Sequence, residues 1–387
     1  MTYALHGGQP TWNDNILGAC SLMDGLPPWL TVTRAAGPAS WQTRPAENDK
    51  TFVAYDLNLA ANTPRFSYNE ALGRNCLLVE NVTTNQLTNT IITDNGTPNL
   101  PDGWITTAGA PGTDFLVQSG GPDGGKYLYI PDTSVNSRGV YQNTSFTPST
   151  NSGISAWVLD TGSGASRQLR FGPYNGELRC TLPVAPPSTW FTLSGAYSIV
   201  GVSPPQPCYG LMSTWSDPAG TFKVACPQFE MQDCPTSWVP TQGTTGTRAR
   251  ENTSIADAVV PYHYGTVQFT WIPNFPLYSY LQAYVYPFGF NFYEGLQFRS
   301  FPTATFVLYY DSAVRITIPA PNFTAGQPLR IKIEYGSWGS RLTINGVSAA
   351  SDTPWTASAP GGFATLGGRS GLNTFTQSFA DLIMVGA

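Results

Sequence analysis

The stretch Arg341-Leu342-Thr343-Ile344-Asn345-Gly346-Val347-Ser348-Ala349 sets the dipeptide Asn345-Gly346 between two short runs suited to strands. A type I′ hairpin needs positive φ at both central residues, and Asn followed by Gly meets that need at low steric cost. The stretch therefore predicts two antiparallel strands, 341–344 and 347–349. Further strand candidates surround it at 266–271, 280–286, 304–310, 313–318, 329–335 and 379–385, and Asp311-Ser312 predicts a second hairpin.

Composition agrees with sheet. Charged residues are 11% of the 387-residue chain and aromatics 13%, beside 39 Gly and 33 Pro. Few charges and many turn residues suit short strands joined by tight loops. Surface helices draw on Glu, Lys and Arg, yet the lysines are only Lys50, Lys126, Lys223 and Lys332, so helix is expected to be minor. A net charge of −5 without a basic run gives nothing to neutralise a phosphate backbone, which sets nucleic acid aside as a partner. Residues 1–20 lack the pattern of an export signal, and no segment approaches the roughly 20 apolar residues of a membrane span. A soluble chain made in the cytoplasm, with no membrane insertion, is expected.

Upstream of the hairpin, residues 89–240 hold candidate strands at 138–146, 153–159, 167–171, 177–182, 190–200 and 221–231. Val140, Gln142, Thr144 and Phe146 share one face, with Tyr141, Asn143 and Ser145 on the other. Several short strands at such spacing predict a sandwich. Residues 241–250 shift to Gly and Thr, the composition of a linker. Residues 1–88 are irregular and interrupted by Pro27, Pro28, Pro38, Pro45 and Pro64, which reads as an extended arm packing on something else. The expected fold is all-β: an N-terminal arm (1–88), a first β-sandwich (89–245) and a second (251–387), both jelly rolls. No repeat of solenoid period argues for a parallel β-helix.

Two blocks carry a family resemblance. The first is Asn62-Thr63-Pro64-Arg65-Phe66-Ser67-Tyr68, then Gly73, Leu77-Leu78-Val79-Glu80 and Thr84-Asn85. The second is Gln228-Phe229-Glu230, then Pro235-Thr236-Ser237-Trp238-Val239-Pro240-Thr241 and Thr247-Arg248-Ala249, and Thr33-Arg34-Ala35 looks like an opening block. Together they resemble blocks that bracket a carbohydrate-binding-module-like jelly roll in phage tail and head fibre proteins. The C-terminal part, with 329–335, Leu342-Thr343-Ile344-Asn345-Gly346, Leu366-Gly367 and 379–385, resembles a concanavalin-like or laminin-G-like jelly roll. Asn75-Cys76 stands where that family usually has Gly, and six cysteines is a high count for it. The resemblance implies a virion protein that touches other capsid or tail proteins and a host surface polysaccharide, with a homotrimer as the expected assembly.

Six cysteines lack the C-x-x-C spacing of zinc or redox sites. If 225–235 is one strand, Cys226 and Cys234 stand roughly 26 Å apart, beyond the ~7 Å that a disulfide tolerates. Bridges among Cys180, Cys208, Cys226 and Cys234 through neighbouring strands, or between subunits, remain open beside the reading that all are reduced and buried. The only histidines are His6 and His263, the latter between Tyr262 and Tyr264, which makes a nucleophilic triad improbable. Glu294, Asp311, Glu334 and Asp381 lack the E-x-D-x-x-E spacing of concanavalin-like glycosidases, although folding could gather two of them.

Aromatics in loop-like sequence give the binding hypothesis, because a sugar's apolar face stacks on Trp or Tyr while its hydroxyls need polar neighbours. The candidates are Tyr174 with Asn175, Trp215 with Asp217, Trp338 with Arg341, and Trp355; the competing reading puts these rings in cores or subunit contacts. The aromatic run 278–298 reads as core or interface. Asp114, Asp123 and Asp132 lie in turns where a structural calcium could find ligands, but their spacing selects no site and no cofactor is expected. The function expected from all this is a non-enzymatic fibre or appendage protein of a tailed phage. A capsid decoration protein and, from another class, a polysaccharide-degrading enzyme are the alternatives.

Overall fold

In the computed structural model Asn345 takes φ 48° and Gly346 φ 87°, and the turn joins Gly339–Ile344 to Val347–Ser351 with Ile344 opposite Val347. Asp311 and Ser312 likewise take φ 50° and 54° and join Thr305–Tyr310 to Ala313–Pro319. The structure describes residues 15–21, 25–44, 52–130, 139–143, 151–160, 168–173, 178–181, 189–198, 208–213, 221–231, 236–275, 284–290, 294–299, 303–355, 364–367 and 377–386. Within them the chain is β-structure apart from one short 3-10 turn, Asp257–Val259, and every named strand pair is antiparallel. No helix among the described residues is long and apolar enough to cross a membrane.

Two compact units form. One gathers Met1–Ala35, Ala61–Asn81 and Arg250–Ala387; the other gathers Ala36–Ala60 and Val82–Ala249. The region to residue 88, read from the sequence as an arm, thus supplies strands to both. Arg65–Asn69 and Arg74–Val79 extend the sheet of the first unit, whose order runs Val347–Ser351, Gly339–Ile344, Leu329–Gly336, Gly265–Pro273, Gln377–Gly386, Arg74–Val79, Arg65–Asn69. Asn15–Ser21 also pairs with Gln377–Gly386, and Leu30–Thr33 pairs with Asn252–Ile255. The proline-broken sequence hides these strands because they are short and, Arg65–Asn69 apart, take pairing partners from the far end of the chain.

A second sheet, built on Tyr284–Gly289, Gly295–Arg299, Thr305–Tyr310 and Ala313–Pro319, closes the first unit into a sandwich. Its core is ring against ring. Trp271 lies 5.5 Å from Phe306 and 5.7 Å from Phe298, and Phe269 stacks at 5.8 Å on Phe288. Such pairs add about 0.5–1.5 kcal/mol each beyond burial. The indole nitrogen of buried Trp271 donates to Gln377 Oε1 at 2.7 Å. Within the described part of the aromatic run 278–298, Phe288, Phe290 and Phe298 are buried in the core and Tyr286 is half-buried.

In the second unit a sheet containing Phe191–Ser198, Asn151–Asp160, Phe222–Glu230, Lys126–Ile130 and Leu116–Ser119 faces one containing Gly139–Asn143, Cys208–Ser213 and Gln168–Pro173. Val140 lies in the core, with Gln142 buried on the same face; Gln142 Oε1 accepts from Thr88 N at 2.9 Å and its amide donates to Asn89 O at 2.6 Å. Thr144 and Phe146 lie outside the described residues. The hairpin of Gly37–Thr43 and Phe52–Leu59 brings Val53 against Tyr127, Trp157, Cys226 and Trp238. Residues 241–250, expected as a linker, are held: Thr241 N donates to Thr90 Oγ1, Gly246–Arg248 pairs with Thr83–Asn85, and Arg248 is fully buried. Thr and Gly here serve backbone pairing rather than flexibility.

Cys226 corrects one disulfide candidate. It is a free, buried thiol at φ 49°, within a bulge where the register slips between Ser155 and Trp157. Cys180 and Cys208 lie in strands whose side chains are outside the described set, and Cys234 is outside it altogether. Cys76 is also free and buried.

The first unit is tied where the chain leaves at Asn81 and returns at Arg250. Arg65 Nε donates to Glu251 Oε1 at 2.5 Å, and Nη2 donates to Glu80 Oε2 at 2.6 Å and Glu251 Oε2 at 2.8 Å. All three side chains are buried. Glu80 N donates to Glu251 Oε2 and Glu251 N to Glu80 O, each at 3.0 Å.

Arg65→Met removes the guanidinium that two buried carboxylates share and should cost about 3–5 kcal/mol, read as a lowered denaturant midpoint. Arg74→Gln, which removes the part-exposed pair with Asp381, should cost less than about 1 kcal/mol. Burial pushes the Cys76 thiol up to about 12 and Cys226 well above its ordinary value. Alkylation needs the thiolate, so peptide mapping at mildly alkaline pH should find both unmodified until the chain is unfolded; labelling at native-state rates equal to a free thiol's would contradict this placement.

Candidate functional site

The site is built on the outward face of the first unit's large sheet. Along Leu329–Gly336, side chains alternate: Ile331, Ile333 and Tyr335 are buried, so Arg330, Lys332, Glu334 and Gly336 face out. Register aligns the neighbours: Glu334 lies opposite Thr266 on one side and Arg341 on the other, and Lys332 lies opposite Gln268 and Thr343. The face is therefore a series of polar rows about 6.6–6.8 Å apart along the strands.

The last row is aromatic. Ser337 and Trp338 form the turn between Leu329–Gly336 and Gly339–Ile344, and Gly339 takes φ 119°, where a Cβ would stand 2.0 Å from Ser351 O. That turn folds the Trp338 indole back over Gly336. A Cβ on Gly336 would lie 3.0 Å from Trp338 Nε1, 3.2 Å from its Cδ1 and 3.4 Å from Tyr264 Cβ. Trp338 and Tyr264 thus sit together on the outer face, each 53% exposed, with exposed His263 and Ser337 beside them.

Buried rings hold this row from beneath. Trp355 Nε1 donates to Tyr262 O and its backbone N to Gly336 O, each at 2.9 Å. Tyr335 donates to Pro261 O at 2.5 Å, and Tyr262 donates to Asp257 Oδ1 at 2.5 Å. The loop 261–264 that carries His263 and Tyr264 is pinned at two carbonyls. Burial, then the Asp257 bond, pushes the Tyr262 phenol well up, and burial does the same to Tyr335. Both stay protonated donors at any physiological pH, so the pinning does not titrate there.

Of the sequence candidates, Trp338 and Arg341 share this face, Trp338 over Gly336 and Arg341 one row inward. Trp355 is corrected: it is buried, with Tyr310 at 4.3 Å, Tyr335 at 4.5 Å and Phe290 at 5.0 Å, so it supports the platform and offers no face to a ligand. Tyr174, Asn175, Trp215 and Asp217 lie outside the described residues, as do His6 and Asp132. Tyr264 was missed as a partner because only register puts it beside Gly336.

Three of the four carboxylates weighed for glycoside hydrolysis have cationic partners: Asp311 with Arg315 at 2.8 Å, Glu334 with Lys332 at 2.7 Å and Asp381 with Arg74 at 2.6 Å. Buried Glu294 accepts from Asp311 N at 3.4 Å. Asp114 accepts from Ala110 N and Asp123 from Gly125 N, bonds that close their own turns. No group of three or more His, Cys, Asp or Glu placed to hold a metal ion occurs among the described residues.

No family model matches the chain, and no curated protein matches it. Among solved structures, a Trypanosoma rangeli sialidase aligns at 9% identity and TM-score 0.28, over 90% of this chain and 64% of its own. The N-terminal CBM22-1-CBM22-2 tandem domain of Paenibacillus barcinonensis Xyn10C aligns at 12% identity and TM-score 0.26, over 78% of this chain and 98% of its own. Likenesses this loose carry no function to this chain.

Gly336→Ala should push the indole off its seat at little cost in stability, because the crowded atoms are the end of a side chain. With 5-fluorotryptophan incorporated, the 19F resonance assigned through Trp338→Phe should shift in Gly336→Ala while that of buried Trp355 holds. An unmoved Trp338 resonance would refute the seating.

Proposed function

We propose that the chain is a structural component of a tailed-phage particle, a fibre or appendage protein that contacts a glycan on the host surface through the Trp338–Tyr264 platform. The observation that carries the glycan reading is the pair of half-exposed aromatic residues that meet over Gly336 at the end of the sheet. Large aromatic faces in water lose hydration favourably when a sugar's C–H face covers them, and the polar rows beyond supply partners for hydroxyls. The virion reading is supported by the two sequence blocks that resemble fibre proteins, and a homotrimer is the assembly proposed with it.

The test is binding to an array of purified bacterial surface polysaccharides, with free oligosaccharide as competitor. Trp338→Ala should weaken a competable interaction about tenfold or more, roughly 1.4 kcal/mol, while the melting temperature stays put. Unchanged affinity in a Trp338→Ala, Tyr264→Ala double variant would overturn the platform. Release of reducing ends by the wild-type protein would favour the degrading-enzyme alternative, and immunogold labelling of purified particles would place or exclude the protein on a virion.

A further inference from the structure

Resting on the glycan reading, we infer that the ligand of this face is an acidic polysaccharide, one whose sugar rings carry carboxylates. Three cations, Arg330, Lys332 and Arg341, stand on the outer face of the two strands that carry the platform, against one carboxylate, Glu334. The whole chain has a net charge of −5, so this excess of positive charge is local and runs against the protein's overall field.

The partners sharpen the point. Lys332 is engaged, its Nζ 2.7 Å from Glu334 Oε1. Arg341 lies directly across from Glu334 in register, yet Glu334 takes the lysine, and neither Arg341 nor Arg330 forms an ion pair among the described residues. Both arginines are exposed. A guanidinium offers a planar fork that matches a carboxylate with two parallel hydrogen bonds, a fit that an ammonium lacks.

Spacing sets how a chain of sugars would lie. Arg341 is one row from the platform and Arg330 three rows, which is roughly 7 Å and 20 Å at about 3.4 Å per residue. A ring stacked on Trp338 and Tyr264 would hold its own or its neighbour's carboxylate against Arg341. A chain continuing along the face would meet Thr266, Gln268 and Thr343 as hydroxyl partners and present a later carboxylate to Arg330.

The experiment uses the full-length protein and defined polymers: polygalacturonate, alginate, hyaluronan and polysialic acid, each beside its carboxyl-reduced neutral form, with dextran sulfate as a charge control. At least one carboxylated polymer should bind about tenfold or more tightly than its reduced form, and that affinity should fall as salt rises. Arg341→Gln and Arg330→Gln should each weaken the acidic polymer without changing the melting temperature, and Arg341→Lys should recover only part of the loss. Equal affinity for native and reduced polymers, or full affinity in the double arginine-to-glutamine variant, overturns the acidic assignment and leaves glycan binding standing. Dextran sulfate binding as tightly as the carboxylated polymers overturns the fork recognition. Binding to no polymer in either form brings down the glycan reading itself.

Discussion

A buried guanidinium shared by two glutamates is the constraint on which the first unit depends. Arg65 sits in a hairpin at the edge of a sheet made, apart from Asn15–Ser21, by residues beyond 264, and its partners Glu80 and Glu251 flank the point where 168 residues (82–249) leave and rejoin the unit. Ions in a dry interior lose several kcal/mol of hydration each, and recover it only when geometry and hydrogen bonds are complete. Here two guanidinium nitrogens and one backbone N–H meet three carboxylate oxygens. The arrangement has little tolerance for another register, because a slip that left any member unmatched would strand a charge.

That tie has a consequence at the other end of the sheet. The strand Gln377–Gly386 pairs with Gly265–Pro273 on one side and, on the other, with Arg74–Val79 through 377–379 and Asn15–Ser21 through 381–386, so the hairpin bearing Arg65 covers one stretch of an edge that would otherwise be open. Gly265–Pro273 in turn aligns Leu329–Gly336, and that register sets Tyr264 beside Gly336. Below them the stack of Trp355, Tyr335, Tyr310 and Phe290 leaves no slack. In the proposed role, a platform so supported would meet a ligand with little ordering left to do, which is where rigid aromatic sites gain affinity.

What could be seen in the sequence was whatever is decided locally. Asn345-Gly346 and Asp311-Ser312 specify their turns by the φ values their own side chains tolerate, and the long strand runs follow from alternation. Discontinuity was hidden, because nothing within 62–80 states that its partners lie 186 residues away at Glu251. Trp355 and residues 241–250 read as exposed loop because Ser, Thr, Pro and Gly surround them, whereas the fold gives the Trp355 indole Tyr262 O as acceptor and ties 241–250 to Thr90 and the strand 83–85. Trp338 was legible since a Trp inside Gly336-Ser337-Trp338-Gly339 has nowhere to go but a turn.

The blocks that resemble fibre proteins now have a physical meaning of their own. Asn85 donates to Val239 O and accepts from Phe229 N; Gln228 donates to Thr236 O; Glu230 accepts from Thr236 N; Trp238 Nε1 and Thr241 N both donate to Thr90 Oγ1. Each of these block side chains is buried and bonded inside its own unit, as Arg65 and Glu80 are in theirs. None lies on the face that carries Trp338, Tyr264, Arg341 and Arg330. The blocks therefore encode how one unit is spliced into the chain of the other, a requirement that is costly to vary because unmade buried bonds cost about 1–3 kcal/mol each. The exposed rows of the proposed binding face carry no such requirement, so their side chains are free to follow the chemistry of whatever surface the protein meets.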